Sequence, residues 1–202
     1  MPSREREYRS MELRIAQRED GAEPSFFVEG YASTFEPYKL LTVNGVDYYE
    51  RIEPTAFEGA DLSDVVFRVD HTGPVYARSS AGSVEVWVDD HGLGTRADLG
   101  RTQRARDLYA DIEAGNYPQM SFAFVVDEDG DYYDKATHTR VIKRFAKVFD
   151  VSPVSFPANP GTELSVSTRD YFNGVIEMEQ AERLEEEKRE RQKLKIRVLT
   201  EI

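Results

Sequence analysis

Short segments in which apolar and polar residues alternate recur along most of this chain, and they limit its fold more than any other feature. Examples are Met11–Ile15 and Val84–Val88, and this alternation predicts half-buried β-strands. Asn44-Gly45 lies between two more apolar segments, and both residues tolerate the positive φ of a tight hairpin turn. The sequence therefore predicts many short strands joined by turns.

Two segments instead have the character of helices. Four apolar residues are spaced to form one helical face: Ala105, Leu108, Tyr109 and Ile112. Thr102 is suited to cap the start of that helix, and Gly115 is suited to end it. A second segment, Glu177–Lys195, is mostly Glu, Arg, Lys, Gln and Leu, which is the composition of a long exposed helix.

Many short strands with few helices predict an α+β fold, with a β-rich barrel-like core, surrounding helices and a charged C-terminal helix. We divide the chain into a flexible leader at residues 1–10, a main domain at residues 11–168 and a charged helical extension at residues 169–202. Within the main domain, we expect Arg51–Ala60 to be a loop that runs into a short helix. We expect Arg140–Phe149 to be one strand.

The charge of the chain limits its partners. The formal net charge is −12, and residues 177–202, with eight acidic and seven basic side chains, contribute only −1 of it. The remaining −11 belongs to residues 1–176, and such a surface repels the phosphate groups of nucleic acids. We therefore expect no nucleic-acid partner, and a basic protein partner fits better.

Other features of the composition exclude further classes of protein. The chain has no cysteine, which rules out disulfides, thiolate metal sites and a cysteine nucleophile. No stretch approaches the roughly 20 apolar residues that cross a bilayer, so we expect no membrane association. Residues 1–10 are charged and do not resemble a signal peptide, which predicts an intracellular protein.

Three side chains are candidates for nucleophilic chemistry. Ser121 places a hydroxyl in the apolar segment Met120–Val126, although a serine in a buried strand most often just bonds to backbone. His71 follows the apolar segment Asp64–Val69 at a strand end, a place where sites are often built. Asp150 follows another apolar segment and needs a cationic partner if it is buried. Our hypothesis is that the fold brings His71 and Asp150 to Ser121.

The remaining polar clusters do not predict a metal or cofactor site. His71, His91 and His138 are too scattered for a zinc motif, and His91 lies in a turn that we expect to be solvated. In Asp127–Asp131 the glycine follows the first aspartate by three residues, whereas an EF-hand loop requires five. We interpret that run as a hairpin tip. We predict no metal and no cofactor.

Five segments, taken in order, resemble the prohead (capsid maturation) proteases of tailed bacteriophages. They are Gly30–Ala32, Glu50–Phe57, Asp70–Arg78, a serine segment made of Gly92-Leu93, the helix up to Gly115 and Met120–Phe124, and finally Asp150–Pro160. The resemblance covers about residues 11–165, and its last segment is the most specific. Thr55 stands where the family has glycine, and Asp70 where it often has asparagine. Asp150 stands where it more commonly has glutamate.

The resemblance implies a fold similar to that of the herpesvirus assembly proteases and a serine endopeptidase activity. By position, Ser121 is the nucleophile, His71 the general base and Asp150 the acidic residue. From the chemistry alone, either Asp150 or His138 could orient the imidazole, and this alternative stays open here.

The resemblance also implies a substrate and a location. The substrate is the major capsid protein or its scaffold segment, and often the protease itself. The reaction takes place inside the immature phage capsid in the host cytoplasm. The oligomeric state stays open, and a homo-oligomer is compatible with the sequence. The alternative is a catalytically inactive structural or scaffold-binding head component with the same fold.

Overall fold

The computed structural model describes residues 6–15, 25–155 and 166–200. The chain forms two compact units, Met1–Ser165 and Val166–Ile202. The described part of the first unit is mostly sheet, and it has one α-helix, α1 (Gln103–Glu113). The strands are β1 (Glu7–Ile15), β2 (Phe27–Thr34), β3 (Tyr38–Val43), β4 (Val46–Ile52), β5 (Val66–Val69), β6 (Thr72–Arg78), β7 (Val84–Val88), β8 (Gly92–Asp98), β9 (Gln119–Val126), β10 (Asp131–Asp134), β11 (Thr139–Ile142) and β12 (Phe145–Val154).

Eight strands form the larger sheet, in the order β6-β5-β12-β9-β1-β2-β8-β7. Neighbours are antiparallel except β12 and β5, which are parallel. The predicted α+β class is therefore confirmed. The prediction of a barrel is wrong in one respect, because no strand pairing among the described residues closes this sheet.

The short connection between β6 and β7 brings the two edges of the larger sheet close to each other. These two edge strands are consecutive in the chain and are separated only by Ser79–Ser83, which includes a short 3-10 helix. The sheet must therefore curl until its edges come near each other. The hydrogen bond from the Ser83 backbone N–H to the Arg78 carbonyl (3.1 Å) is made at that connection.

The smaller sheet has the order β10-β11-β4-β3, and buried ion pairs hold strand β1 of the larger sheet against it. Glu7 and Arg9 lie within the predicted flexible leader, yet each is 4% exposed. Arg9 contacts both carboxylate oxygens of Glu50 at 2.5 Å, and Arg140 binds Glu7 at 2.5 and 2.9 Å. The leader prediction is therefore wrong for residues 7–10, because charges that appeared solvated are paired across two sheets.

The helix α1 is confirmed with both of its predicted ends. The Thr102 hydroxyl accepts a hydrogen bond from the Ala105 N–H (3.1 Å), and Gly115 has a φ of 82° just past the helix. The second unit is described by α2 (Val166–Thr200), which begins before the predicted Glu177. Among the described residues, no helix is both long enough and apolar enough to span a membrane.

Two local predictions differ from the structure. Arg51–Ala60 continues strand β4 and then forms turns, without the predicted helix. Arg140–Phe149 is divided between β11 and β12, which belong to different sheets. The chain leaves one sheet at Lys143 and Arg144, which are exposed and bond to the turn before β10.

The hydrophobic core of the first unit lies on one face of β9 and β12. Met120, Phe122 and Phe124 contribute to it from β9, with the last two rings stacked at 4.7 Å. Phe145 packs edge-on against Phe124 at 4.9 Å between ring centroids. Because side chains alternate along a strand, residues between these core positions point to the opposite face of the sheet.

Candidate active site

Ser121 lies on the face of β9 that points away from the core. It is flanked by Met120 and Phe122, both fully buried, and its own side chain is almost completely buried. Its backbone pairs with Ser10 of β1 on one side and with Ser152 of β12 on the other. A strand paired on both sides is a rigid support, so the hydroxyl is held in a fixed position.

Asp150 reaches the same face because of a bulge in β12. Val148 is paired with Phe124, but Asp150, two residues further, is paired with Ala123, only one residue back along β9. The extra residue is Phe149. Since a shift of one residue moves every following side chain to the other face, the bulge brings Asp150 to the face that holds Ser121.

His71 is carried by a tight turn between β5 and β6. Asp70 and His71 form the whole loop between the paired residues Val69 and Thr72, and their φ values are 46° and 56°. Two-residue hairpins with positive φ at both positions usually contain Asn-Gly. A side chain in this conformation costs on the order of 1–2 kcal/mol, so something in the structure must hold the turn.

The end of strand β12 holds that turn. The Asp70 N–H donates to the carbonyl of Pro153 at 3.1 Å. The Asp70 carboxylate accepts from the Ser155 N–H at 2.8 Å and from the Ser155 hydroxyl at 2.7 Å. These three bonds attach the turn that carries His71 to the end of β12. The attachment points lie a few residues after Asp150 in the chain.

The three predicted side chains are in contact. His71 Nε2 is 2.7 Å from Ser121 Oγ, and His71 Nδ1 is 2.6 Å from Asp150 Oδ1. An ionised carboxylate can only accept, so Nδ1 carries the ring proton and Nε2 accepts from the serine hydroxyl. The side chain of Asp150 is 1% exposed and that of His71 is 14% exposed, so the imidazole alone retains access to solvent. An imidazole placed in this way can accept a proton from the serine hydroxyl.

Comparison with known proteins places the chain in a family. The family model described as caudovirus prohead serine protease matches residues 11–175, which is most of the chain. The chain belongs to this family. Prohead serine proteases are serine peptidases associated with capsid maturation, and the predicted resemblance is confirmed. No curated protein and no solved structure gives a significant match.

The structure of this prohead protease family member separates the two candidates for the third group. Asp150 contacts the ring of His71, whereas His138 lies in the turn between β10 and β11 of the smaller sheet. There its Nδ1 is 2.9 Å from the Tyr133 hydroxyl, and its ring packs edge-on against Tyr48. The geometry therefore favours Asp150 as the partner of the imidazole.

The other polar clusters lie outside this arrangement. His91 is exposed in the turn between β7 and β8, as predicted, with its ring 4.3 Å from that of Tyr31. Asp127–Asp131 leads from β9 of the larger sheet into β10 of the smaller sheet, and the two strands do not pair with each other. The predicted hairpin tip is therefore wrong, because the segment connects two sheets. In the part of the chain that the structure describes, no group of three or more His, Asp or Glu side chains is arranged to hold a metal ion.

Sequence reasoning missed two serines that support the site. Ser152 donates its hydroxyl to Asp150 Oδ1 at 2.7 Å, and Ser155 binds Asp70 as described above. A signal for Ser152 was present, because residues two apart in a strand share a face. No local signal could have shown that Ser155 meets Asp70, since the two are 85 residues apart.

Burial and negative charge shape the surroundings of the turn that holds His71. Burial, and then the charges of Asp111, Asp70 and Tyr76, raise the pKa of Tyr117. Tyr117 therefore keeps its hydroxyl proton at neutral pH.

Proposed function

We propose that this protein is a serine endopeptidase in which Ser121 is the nucleophile, His71 the general base and Asp150 the residue that orients the imidazole. One observation carries the proposal: a single ring contacts the serine hydroxyl through Nε2 and the buried carboxylate through Nδ1, at 2.7 and 2.6 Å. A serine hydroxyl is a weak nucleophile until an adjacent base takes its proton, and this arrangement supplies that base.

The proposed reaction has two halves. Ser121 Oγ attacks the carbonyl carbon of the scissile peptide bond while His71 Nε2 takes the hydroxyl proton. The imidazolium then gives that proton to the departing amine, and the acyl group remains on Ser121. Water, deprotonated by His71, releases the acid product and restores the serine.

Asp150 acts through the ring during both halves of the reaction. Its carboxylate faces Nδ1, so it holds the tautomer in which Nε2 is free to accept a proton. Its negative charge also stabilises the imidazolium that forms when Ser121 is deprotonated. A buried carboxylate does this more strongly than an exposed one, because little water is present to screen it.

The proposed substrates are the capsid proteins of the phage and, within them, the scaffold segments that are removed as the immature capsid matures. Membership in the prohead protease family supports this substrate class. The acidic surface of residues 1–176, with a net charge of −11, also favours a basic protein segment over nucleic acid. We propose that the enzyme acts inside the immature capsid in the host cytoplasm, and that it also cuts its own chain.

The test compares the full-length wild type with Ser121→Ala. Each protein is incubated alone and with the uncleaved capsid protein of the same phage, and all products are measured by intact mass. We expect cleavage of the capsid protein, and of the protease itself, in the wild-type sample alone.

Two results would contradict the proposal. Intact capsid protein and intact protease in both samples would support the alternative, an inactive head component with this fold. Equal cleavage in both samples would show that Ser121 is not the nucleophile. His91→Ala serves as the control variant, because that exposed histidine lies in a different turn and should leave cleavage unchanged.

A further inference from the structure

Ser152 extends the line of hydrogen bonds at the candidate site by one residue. Its hydroxyl is 2.7 Å from Asp150 Oδ1, which is also the oxygen that His71 Nδ1 approaches at 2.6 Å. Both Ser152 and Asp150 are buried, at 0% and 1% exposed. One carboxylate oxygen therefore receives two donors, one from the ring and one from its own strand.

The strand geometry makes this contact specific. Ser152 follows Asp150 by two residues, so both side chains lie on the same face of β12. Ser152 is also paired directly with Ser121 across the two strands. The bulge at Phe149 thus brings Asp150 and Ser152 together to the face that holds Ser121.

A carboxylate held by a single donor can rotate about its Cβ–Cγ bond, because the χ2 angle of aspartate has a broad range of low-energy values. A second donor at a fixed position on the strand restricts this rotation.

We propose that Ser152 is a positioning residue, whose hydroxyl fixes Asp150 Oδ1 where it can hold the His71 ring in line with Ser121. This inference rests on the proposed peptidase function, since it assigns a role within the same site. Ser152 does not contact the attacking atom in this scheme. Its effect on the reaction passes through Asp150 and His71.

The first measurement is catalytic. Ser152→Ala is compared with the wild type for cleavage of the phage capsid protein at several substrate concentrations. We expect kcat to fall about tenfold, the rate equivalent of one net hydrogen bond, with KM unchanged. Ser152→Thr keeps the hydroxyl and should recover most of the lost rate.

Ser33→Ala is the matched control. Ser33 is also a fully buried strand serine, in β2, but its hydroxyl has no hydrogen-bond partner among the described residues. Removing it should leave kcat unchanged. An equal fall in kcat for both variants, or an unchanged kcat for Ser152→Ala, would overturn the proposal.

The second measurement does not depend on proteolysis. Two variants are compared. The first carries Ser121→Ala alone, which prevents self-cleavage, and the second carries Ser121→Ala together with Ser152→Ala. The proton on His71 Nδ1 is observed by NMR, where its hydrogen bond to Asp150 should give a low-field resonance. We expect this resonance to move or to broaden when Ser152 is removed. A resonance that stays unchanged would overturn the positioning role.

The two experiments also separate this inference from the proposed function. If the wild type cleaves nothing, the peptidase proposal fails, and the NMR result alone decides whether Ser152 fixes the Asp150–His71 pair. If the wild type is active and Ser152→Ala matches it in kcat and in the resonance, the inference fails while the peptidase proposal stands.

Discussion

The first unit contains two buried polar networks that are built from similar side chains and serve different ends. In the ion-pair network, Glu7, Arg9, Glu50 and Arg140 hold strand β1 against the smaller sheet. All four are at most 4% exposed, and each contacts an opposite charge at 3.2 Å or less. In the site network, the hydrogen bonds run from Ser152 through Asp150 and His71 to Ser121.

The difference lies in how each network ends. The ion-pair network returns on itself, because each of its carboxylates meets two arginines. Its groups are satisfied within the protein, so it has nothing to offer a substrate. The site network ends at the Ser121 hydroxyl, beside an imidazole that is 14% exposed and carried by a turn with positive φ. The first network should therefore govern stability and the second should govern reactivity.

The largest effect that follows from this comparison is expected for His71→Ala. Without the imidazole, no described residue other than His71 offers a base to Ser121, and losing the base of a serine peptidase costs roughly 10⁶ in kcat. The variant should stay folded, because the ring is not part of the hydrophobic core. Capsid-protein cleavage and circular dichroism test both points. Loss of the fold with loss of activity would remove the distinction between the networks.

Asp150→Asn should have the next largest effect. The amide keeps the shape of the carboxylate but cannot stabilise an imidazolium, and the corresponding change in a well-studied triad lowers kcat about 10⁴-fold. Steady-state rates of capsid-protein cleavage measure this, with the exposed Asp107→Asn on α1 as control. An effect below about tenfold would mean that Asp150 does not act through the ring.

Glu50→Gln tests the other network. It leaves Arg9 and Arg140 buried with one anion fewer, and breaking a buried pair costs about 3–5 kcal/mol of the free energy of unfolding. Denaturant unfolding measures the loss. The control is Glu185→Gln, which changes an exposed residue of α2 and should leave the denaturant midpoint of unfolding unchanged. The rate of cleavage per folded molecule should match the wild type. A large fall in that rate would show that the two networks are coupled.

Several features of the fold could be predicted because they depend on neighbours in the chain. The hairpin at Asn44-Gly45 has φ values of 52° and 81°, as its residue types indicate. The caps of α1 are equally local. By contrast, the burial of Glu7 and Arg9 depends on partners 41 to 133 residues away, so the charged pattern was misinterpreted as a leader.

The candidate site also combines features that could be predicted from the sequence with features that could not. The contacts among Ser121, His71 and Asp150 agree with the hypothesis drawn from the sequence, and their catalytic roles stay predictions. The bulge at Phe149 could not be predicted, because an inserted residue changes strand pairing without changing the apolar pattern. The change of sheet between β11 and β12 was missed for another reason: Lys143 and Arg144 interrupt the apolar pattern only briefly, and strand partners that are distant in the chain decide which sheet each strand joins.

The smallest predicted effect concerns alkaline pH. Burial, followed by the charge of Glu50, raises the pKa of Tyr38 well above its ordinary value of 10.0. The folded state therefore prefers the neutral phenol, so this contribution to stability is complete below about pH 10 and is lost as the pH rises further. Tyr38→Phe should make the free energy of unfolding less dependent on pH between about pH 9 and about pH 12.

The control for that prediction is Tyr132→Phe, since Tyr132 belongs to the same sheet but is 43% exposed. Its removal should leave the pH dependence of the wild type unchanged. Identical slopes for all three proteins would mean that Tyr38 does not titrate differently in the folded and unfolded states.

Labelling by a fluorophosphonate tests most directly whether His71 activates Ser121. An activated serine oxygen attacks the phosphorus atom and displaces fluoride, which leaves a stable adduct whose position mass spectrometry can identify. We predict an adduct on Ser121 in the wild type, with labelling abolished by His71→Ala and unaffected by Glu50→Gln once the protein is folded. A folded wild type that stays unlabelled, or that is labelled equally well without His71, would contradict this account.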